Sequence, residues 1–106
     1  MITVNLYYIG ENARAFSEEM ENSGTAEKIR KKNGNAGYEY FVSLSGDKVL
    51  LVDKWESKEA LDSHHNSPEM KEILRLREKY GLKVTAERFS SIEHEEIPEK
   101  DAEFLK

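Results

Sequence analysis

The sequence predicts an α+β domain of order βαββαβ, with a four-stranded antiparallel sheet and helices on one face. Three features carry this. Apolar residues alternate in Ile2-Thr3-Val4-Asn5-Leu6-Tyr7-Tyr8-Ile9, in Gly37-Tyr38-Glu39-Tyr40-Phe41-Val42-Ser43-Leu44 and in the run ending at Trp55. Between and after these runs the apolar spacing changes to that of helices. Gly46-Asp47 joins the second and third runs closely enough to form a hairpin.

The first strand covers residues 2–9. Asn12 can cap the next helix, on which Ala13, Phe16 and Met20 form one stripe that Ala26 and Ile29 resume. Ser23-Gly24-Thr25 interrupts it, because glycine costs about 1 kcal/mol against alanine inside a helix. Asn33-Gly34-Asn35 is a turn before the second strand, and the third strand runs from Lys48 to Trp55. Ser57 then offers its hydroxyl to the free amides of a short helix reaching about Asn66. Ser67-Pro68 repeats the signal ten residues later, since proline at the first helical position loses only an amide that has no partner anyway. That helix runs to Tyr80, and Gly81 ends it by adopting a left-handed conformation. A fourth strand spans residues 82–92. The remainder, 93–106, is an acidic tail without a clear period, with Ile97, Phe104 and Leu105 as its apolar anchors.

At 106 residues the chain has the length of one domain, and a monomer of this size covers its apolar surface poorly. With no cysteine it has neither disulfides nor a thiolate nucleophile. No segment has the length of a membrane span, and Met1-Ile2-Thr3-Val4 lacks the basic start of a signal peptide, so a soluble cytoplasmic protein is expected. The net charge is −5, of which the tail supplies most, and this argues against nucleic acid as a partner. The basic run Lys28, Arg30, Lys31, Lys32 fits a helix end, where the dipole favours cations.

On the third strand Leu50 and Val52 share one face, and Leu51, Asp53 and Trp55 the other. Helices cover one face of such a sheet. A second copy covering the other gives a homodimer. If the purely apolar faces pack on the helices, Thr3, Asn5 and Tyr7 join Leu51, Asp53 and Trp55 around a second, aromatic cavity with a few polar anchors. Such a lining suits a flat organic ligand; it suits dimer-interface packing as well.

His64 lies three and four residues after Leu61 and Ala60, so it points inward. An imidazole titrates near neutral pH and can exchange a proton; near a helix C-terminus it can also serve the free carbonyls. His64, His65 and Asp62 do not form a metal site, because neighbouring helical positions do not converge on one ion.

The residues Trp55, Glu56, Ser57, Leu61, His64, Ser67, Pro68, Met70 and Lys71 resemble the W-E-S-x-x-x-L-x-x-H-x-x-[ST]-P-x-M-K signature of the antibiotic biosynthesis monooxygenase family, most of all its small quinol-monooxygenase-like members. Gly34-Asn35-Ala36-Gly37-Tyr38-Glu39 resembles the family's G-x-x-x-Y-E turn and strand. The resemblance covers residues 1–92 and implies a ferredoxin-like fold closed into a dimeric α+β barrel. It also implies a cofactor-independent monooxygenase that oxidises a quinol or polyketide-like phenol with dioxygen. The catalytic set is then His64 as general base with Trp55 and Asn5, and the binding set is Tyr7, Asp53, Leu51 and Phe41. Two alternatives stay open: a non-catalytic dimer that binds a small aromatic or acts in a stress response, and a haem-degrading enzyme. The chain departs from the family where many members carry a histidine after the proline, for here Glu69 stands. Leu74 falls at the axial histidine place of the haem-degrading branch, and leucine cannot ligate iron.

Overall fold

Alternating strands and striped helices assemble as expected in the computed structural model, which describes residues 1–90. The chain forms β1 (Ile2–Ile9), α1 (Ala13–Asn22), α2 (Thr25–Arg30), β2 (Asn35–Val42), β3 (Lys48–Trp55), α3 (Lys58–His65), α4 (Pro68–Lys79) and β4 (Lys83–Ser90). The sheet order is β2-β3-β1-β4, and every neighbouring pair is antiparallel. This is the ferredoxin-like arrangement, with each helical segment split in two. The acidic tail and the last residues assigned to the fourth strand lie outside the described residues.

Local chemistry explains the splits. Gly24 takes a left-handed φ of 82°, which a side chain would resist, and the Ser23 and Thr25 hydroxyls pair across it at 2.8 Å. The helical stripe nevertheless continues: Ala13, Phe16, Met20, Ala26 and Ile29 are all completely buried. Ser57 caps α3 by accepting from the Ala60 amide at 3.2 Å. Asn12 and Ser67 hold cap positions without a side-chain cap bond. The Ser67 hydroxyl instead donates backwards to the His64 carbonyl at 2.6 Å, which also accepts the Ser67 amide at 3.0 Å. Gly34 fixes the approach of β2 to this helix, because a Cβ there would meet the Ala60 methyl at 2.5 Å. Gly81 follows α4 with a φ of 63°.

Pairing decides the faces, and here one expectation is overturned. Ile2 lies opposite Trp55, Val4 opposite Asp53, Leu6 opposite Leu51 and Tyr8 opposite Val49. Residues directly opposite share a face. The side covered by helices therefore combines the even residues of β1 with Val49, Leu51, Asp53 and Trp55, joined by Tyr38 and Tyr40 of β2. Thr3, Asn5 and Tyr7 lie on the other side with Leu50, Val52 and Phe41. The expected grouping of Asn5 and Tyr7 with Leu51, Asp53 and Trp55 is thus incorrect. Each strand's alternation is visible in sequence, but the relative phase of two strands belongs to their register.

The helix side holds the core, with Phe16, Met20, Ile29, Leu51, Trp55, Leu61 and Leu76 among its fully buried side chains. The opposite side is open, and its Phe41 and Phe89 are each 49% exposed. Among the described residues no helix is long and apolar enough to cross a membrane.

Candidate active site

Trp55 ends β3 with its indole completely buried, and the imidazole of His64 stacks on it at a centroid distance of 4.9 Å and 20° between planes. The nine-residue spacing between them works because Ser57 starts α3 at once and returns His64 over the end of the strand. His64 is 2% exposed, so it points inward as its helical stripe predicts.

Its tautomer is set by a residue that the sequence did not single out. The Lys32 ammonium stands 3.2 Å from His64 Nδ1. An ammonium has only donors, so Nδ1 accepts and the imidazole carries its proton on Nε2. Burial lowers the His64 pKa to about 4, with Lys32 and His65 adding to the effect and Glu69 opposing it. Glu69 also faces Lys32, its carboxylate 3.7 Å from the ammonium. Glu69 thus partly balances the lysine charge that adds to burial in keeping His64 neutral.

Asp53 lies two residues before Trp55 on the same face and is 4% exposed. Burial raises its pKa to about 7, an effect that the Trp55 indole and the Lys32 charge offset only in part. Among the described residues Asp53 Oδ1 and Trp55 Nε1 are buried with no partner in hydrogen-bond geometry, although the indole lies close enough to favour the Asp53 carboxylate, and Asn5 Oδ1 on the other face is likewise without a partner. Unpartnered buried polar atoms are rare in folded proteins and call for an explanation. Near Asp53, Tyr8 is held protonated by burial and by the carboxylate's charge. The Tyr38 and Tyr40 hydroxyls pair at 2.7 Å.

Asp53, His64, Tyr8 and Tyr38 border a cavity of about 50 Å³ between the sheet and helices α3 and α4, which Leu51 and Met70 also line. A space of this size takes water rather than a ring, since pockets for organic ligands run to several hundred Å³. A ring must displace lining side chains, and Met70, unbranched and half-buried, is the most adaptable of those named.

The predicted site residues therefore separate. Trp55, His64, Asp53 and Leu51 come together on the helix side, whereas Asn5, Tyr7 and Phe41 lie on the open face. Sequence reasoning missed Tyr8, Tyr38, Met70 and Lys32. The first two were legible once the register placed them opposite β3 residues. Lys32 gave no signal beyond its place in a basic run. Among the described residues no group of three or more His, Asp or Glu is placed to hold a metal ion.

The family model of the antibiotic biosynthesis monooxygenases matches residues 2–76. No curated protein matches the chain. Solved structures of similar fold include a candidate antibiotic biosynthesis monooxygenase from Deinococcus radiodurans, 15% identical, with a TM-score of 0.77 over 92% of this chain and 98% of that one. Another is SnoaB, a cofactor-independent oxygenase from Streptomyces nogalater, 13% identical, with a TM-score of 0.73 over 92% and 97%. A third is the monooxygenase ActVA-Orf6 from Streptomyces coelicolor in complex with nanaomycin D, 18% identical, with a TM-score of 0.72 over 92% and 91%. At such identities these structures show the shared fold.

Proposed function

The chain belongs to the antibiotic biosynthesis monooxygenase family, and we propose that it oxidises a small electron-rich aromatic, a quinol or polyketide-like phenol, with dioxygen and without a cofactor. The observation that carries this reading is the unpartnered Asp53 carboxylate oxygen at a buried cavity, beside the stacked Trp55 and His64 rings. A phenol becomes a good one-electron donor when it loses its proton. The protein need only remove that proton, hold the ring and exclude water. His64, backed by the Trp55 indole, supplies an aromatic wall, and Leu51 and Tyr8 the floor on the sheet. Leu74, at the haem-ligand place, is 49% exposed and outside the residues around this cavity, which speaks against haem degradation. Oxygen uptake with a panel of quinols tests the reading. Consumption that depends on both protein and quinol is expected. Ligand binding without consumption would favour the non-catalytic alternative.

A homodimer completes the proposal. The open face carries Leu50, Val52, Phe41 and Phe89 with the buried, unpartnered Asn5 Oδ1. A second copy would cover these apolar side chains and offer Asn5 a partner. Asn5, Tyr7 and Phe41 then belong to the interface, and the cytoplasm is the compartment in which we place the dimer. Light scattering should give twice the 12.3 kDa chain mass, and Phe41→Glu should shift the protein toward the monomer. A wild-type monomer at micromolar concentration would overturn the dimer.

A further inference from the structure

We propose that Asp53, and not His64, accepts the phenolic proton in the reaction proposed above, on which this inference rests. The two side chains differ in what their acceptor atoms are doing. His64 Nδ1 already receives Lys32, and its other nitrogen carries a hydrogen, so the ring can donate to a ligand but offers it no free acceptor. Asp53 Oδ1 has no partner in hydrogen-bond geometry among the described residues, the Trp55 indole influencing the carboxylate only from nearby, and Asp53 is among the residues that line the cavity.

The surroundings of Asp53 fit that task. Tyr8 from β1, Tyr38 from β2, and His64 and His65 from α3 border the same cavity, while Lys32 and Glu69 face each other beside His64. The Lys32 ammonium is engaged by His64 and Glu69, and among the described residues no cation forms a salt bridge with Asp53. The carboxylate is therefore left basic rather than neutralised. Burial, only partly offset by the Trp55 indole and the Lys32 charge, sets its affinity for a proton near the neutral range, where a general base is most effective, whereas that of His64 falls far below it.

The step balances simply. The phenolic O–H bond breaks, its electron pair stays on the ring oxygen, and the proton passes to Asp53, giving a carboxylic acid and a phenolate. The neutral His64 donor orients the ring without competing for the proton. The net charge inside the cavity does not change, so no additional charge is buried.

The test uses the full chain and two readouts. Asp53→Asn is expected to lower quinol oxidation by about 10²- to 10⁴-fold, the usual loss for a general base. Wild-type turnover should rise with pH through about 7. His64→Gln should keep that limb and lose less turnover; Asp53→Asn should lose the limb, and Asp53→Glu should recover part of it. The second readout needs no dioxygen chemistry: 4-nitrophenol, whose phenolate is coloured, should ionise on binding to the wild type and stay colourless on Asp53→Asn, with circular dichroism confirming that both are folded. Absent oxygen uptake with a nitrophenol colour that still depends on Asp53 would sink the oxidation alone. Turnover or colour unaffected by Asp53→Asn, a pH limb that follows His64 instead, or no nitrophenol binding to the wild type would overturn Asp53 as the acceptor.

Discussion

Trp55→Ala is expected to lower the free energy of unfolding by about 3–5 kcal/mol, the usual range for removing a fully buried large aromatic. The indole is completely enclosed, and the His64 ring rests on it. Truncation removes the apolar contacts and leaves a void beneath a buried imidazole, whose neutral form loses its stacking partner. A domain of this size holds roughly 5–15 kcal/mol in all, so the variant should melt at least about 12 °C lower. Trp55→Phe keeps an aromatic surface under His64 and should cost less than half as much. Because Trp55 is the single tryptophan, urea unfolding has to be followed by circular dichroism. A loss below about 1 kcal/mol would mean that the site collapses to fill the void, and the indole would then be a ligand wall rather than a support of the fold.

The same residue shows how much the sequence discloses. Its place at the end of a strand, the cap at Ser57 and the inward stripe of His64 are all local patterns, and the structure contains each of them. The helical core was equally readable, since Ala13, Phe16, Met20, Ala26 and Ile29 are spaced for one buried face even across Gly24. What failed was the phase between strands. Asn5 and Asp53 each sit in a correctly read alternation, yet the pairing of Val4 with Asp53 sends their side chains to opposite faces. Lys32 was invisible for a related reason: its contact with His64 spans 32 residues and has no counterpart in local spacing. That contact fixes the tautomer of His64, so the sequence, which gave His64 the base role, could not show that its Nδ1 is already occupied.

The two buried titrating groups should also leave opposite marks on stability. Asp53 is raised from 3.8 to about 7, so between those values the folded protein keeps a proton that the unfolded chain releases, and stability falls as pH rises through this window. His64 is lowered from 6.5 to about 4, so there the unfolded chain takes up a proton that the folded protein refuses, and stability falls as pH drops from 6.5 toward 4. From pH 4 to 6.5 the contributions oppose each other, and the pair together should leave wild-type stability nearly flat. Substitution separates them. Asp53→Asn should become more stable from pH 4 to 6.5, by on the order of 3 kcal/mol relative to the wild-type curve. His64→Gln should lose a similar amount between pH 4 and 7. Exposed carboxylates such as Glu19, Asp47 and Glu72, whose pKa values are lowered by their own hydrogen bonds, act in all three proteins and cancel in the difference. The neighbours Lys32, His65, Glu69 and Tyr8 are likewise common to all three. Urea midpoints measured every half unit from pH 4 to 7.5 give the three curves. Parallel curves would mean that neither group is titrated by folding, and crossing curves of the expected sign would establish that the folded site holds its proton on Asp53 while His64 stays neutral.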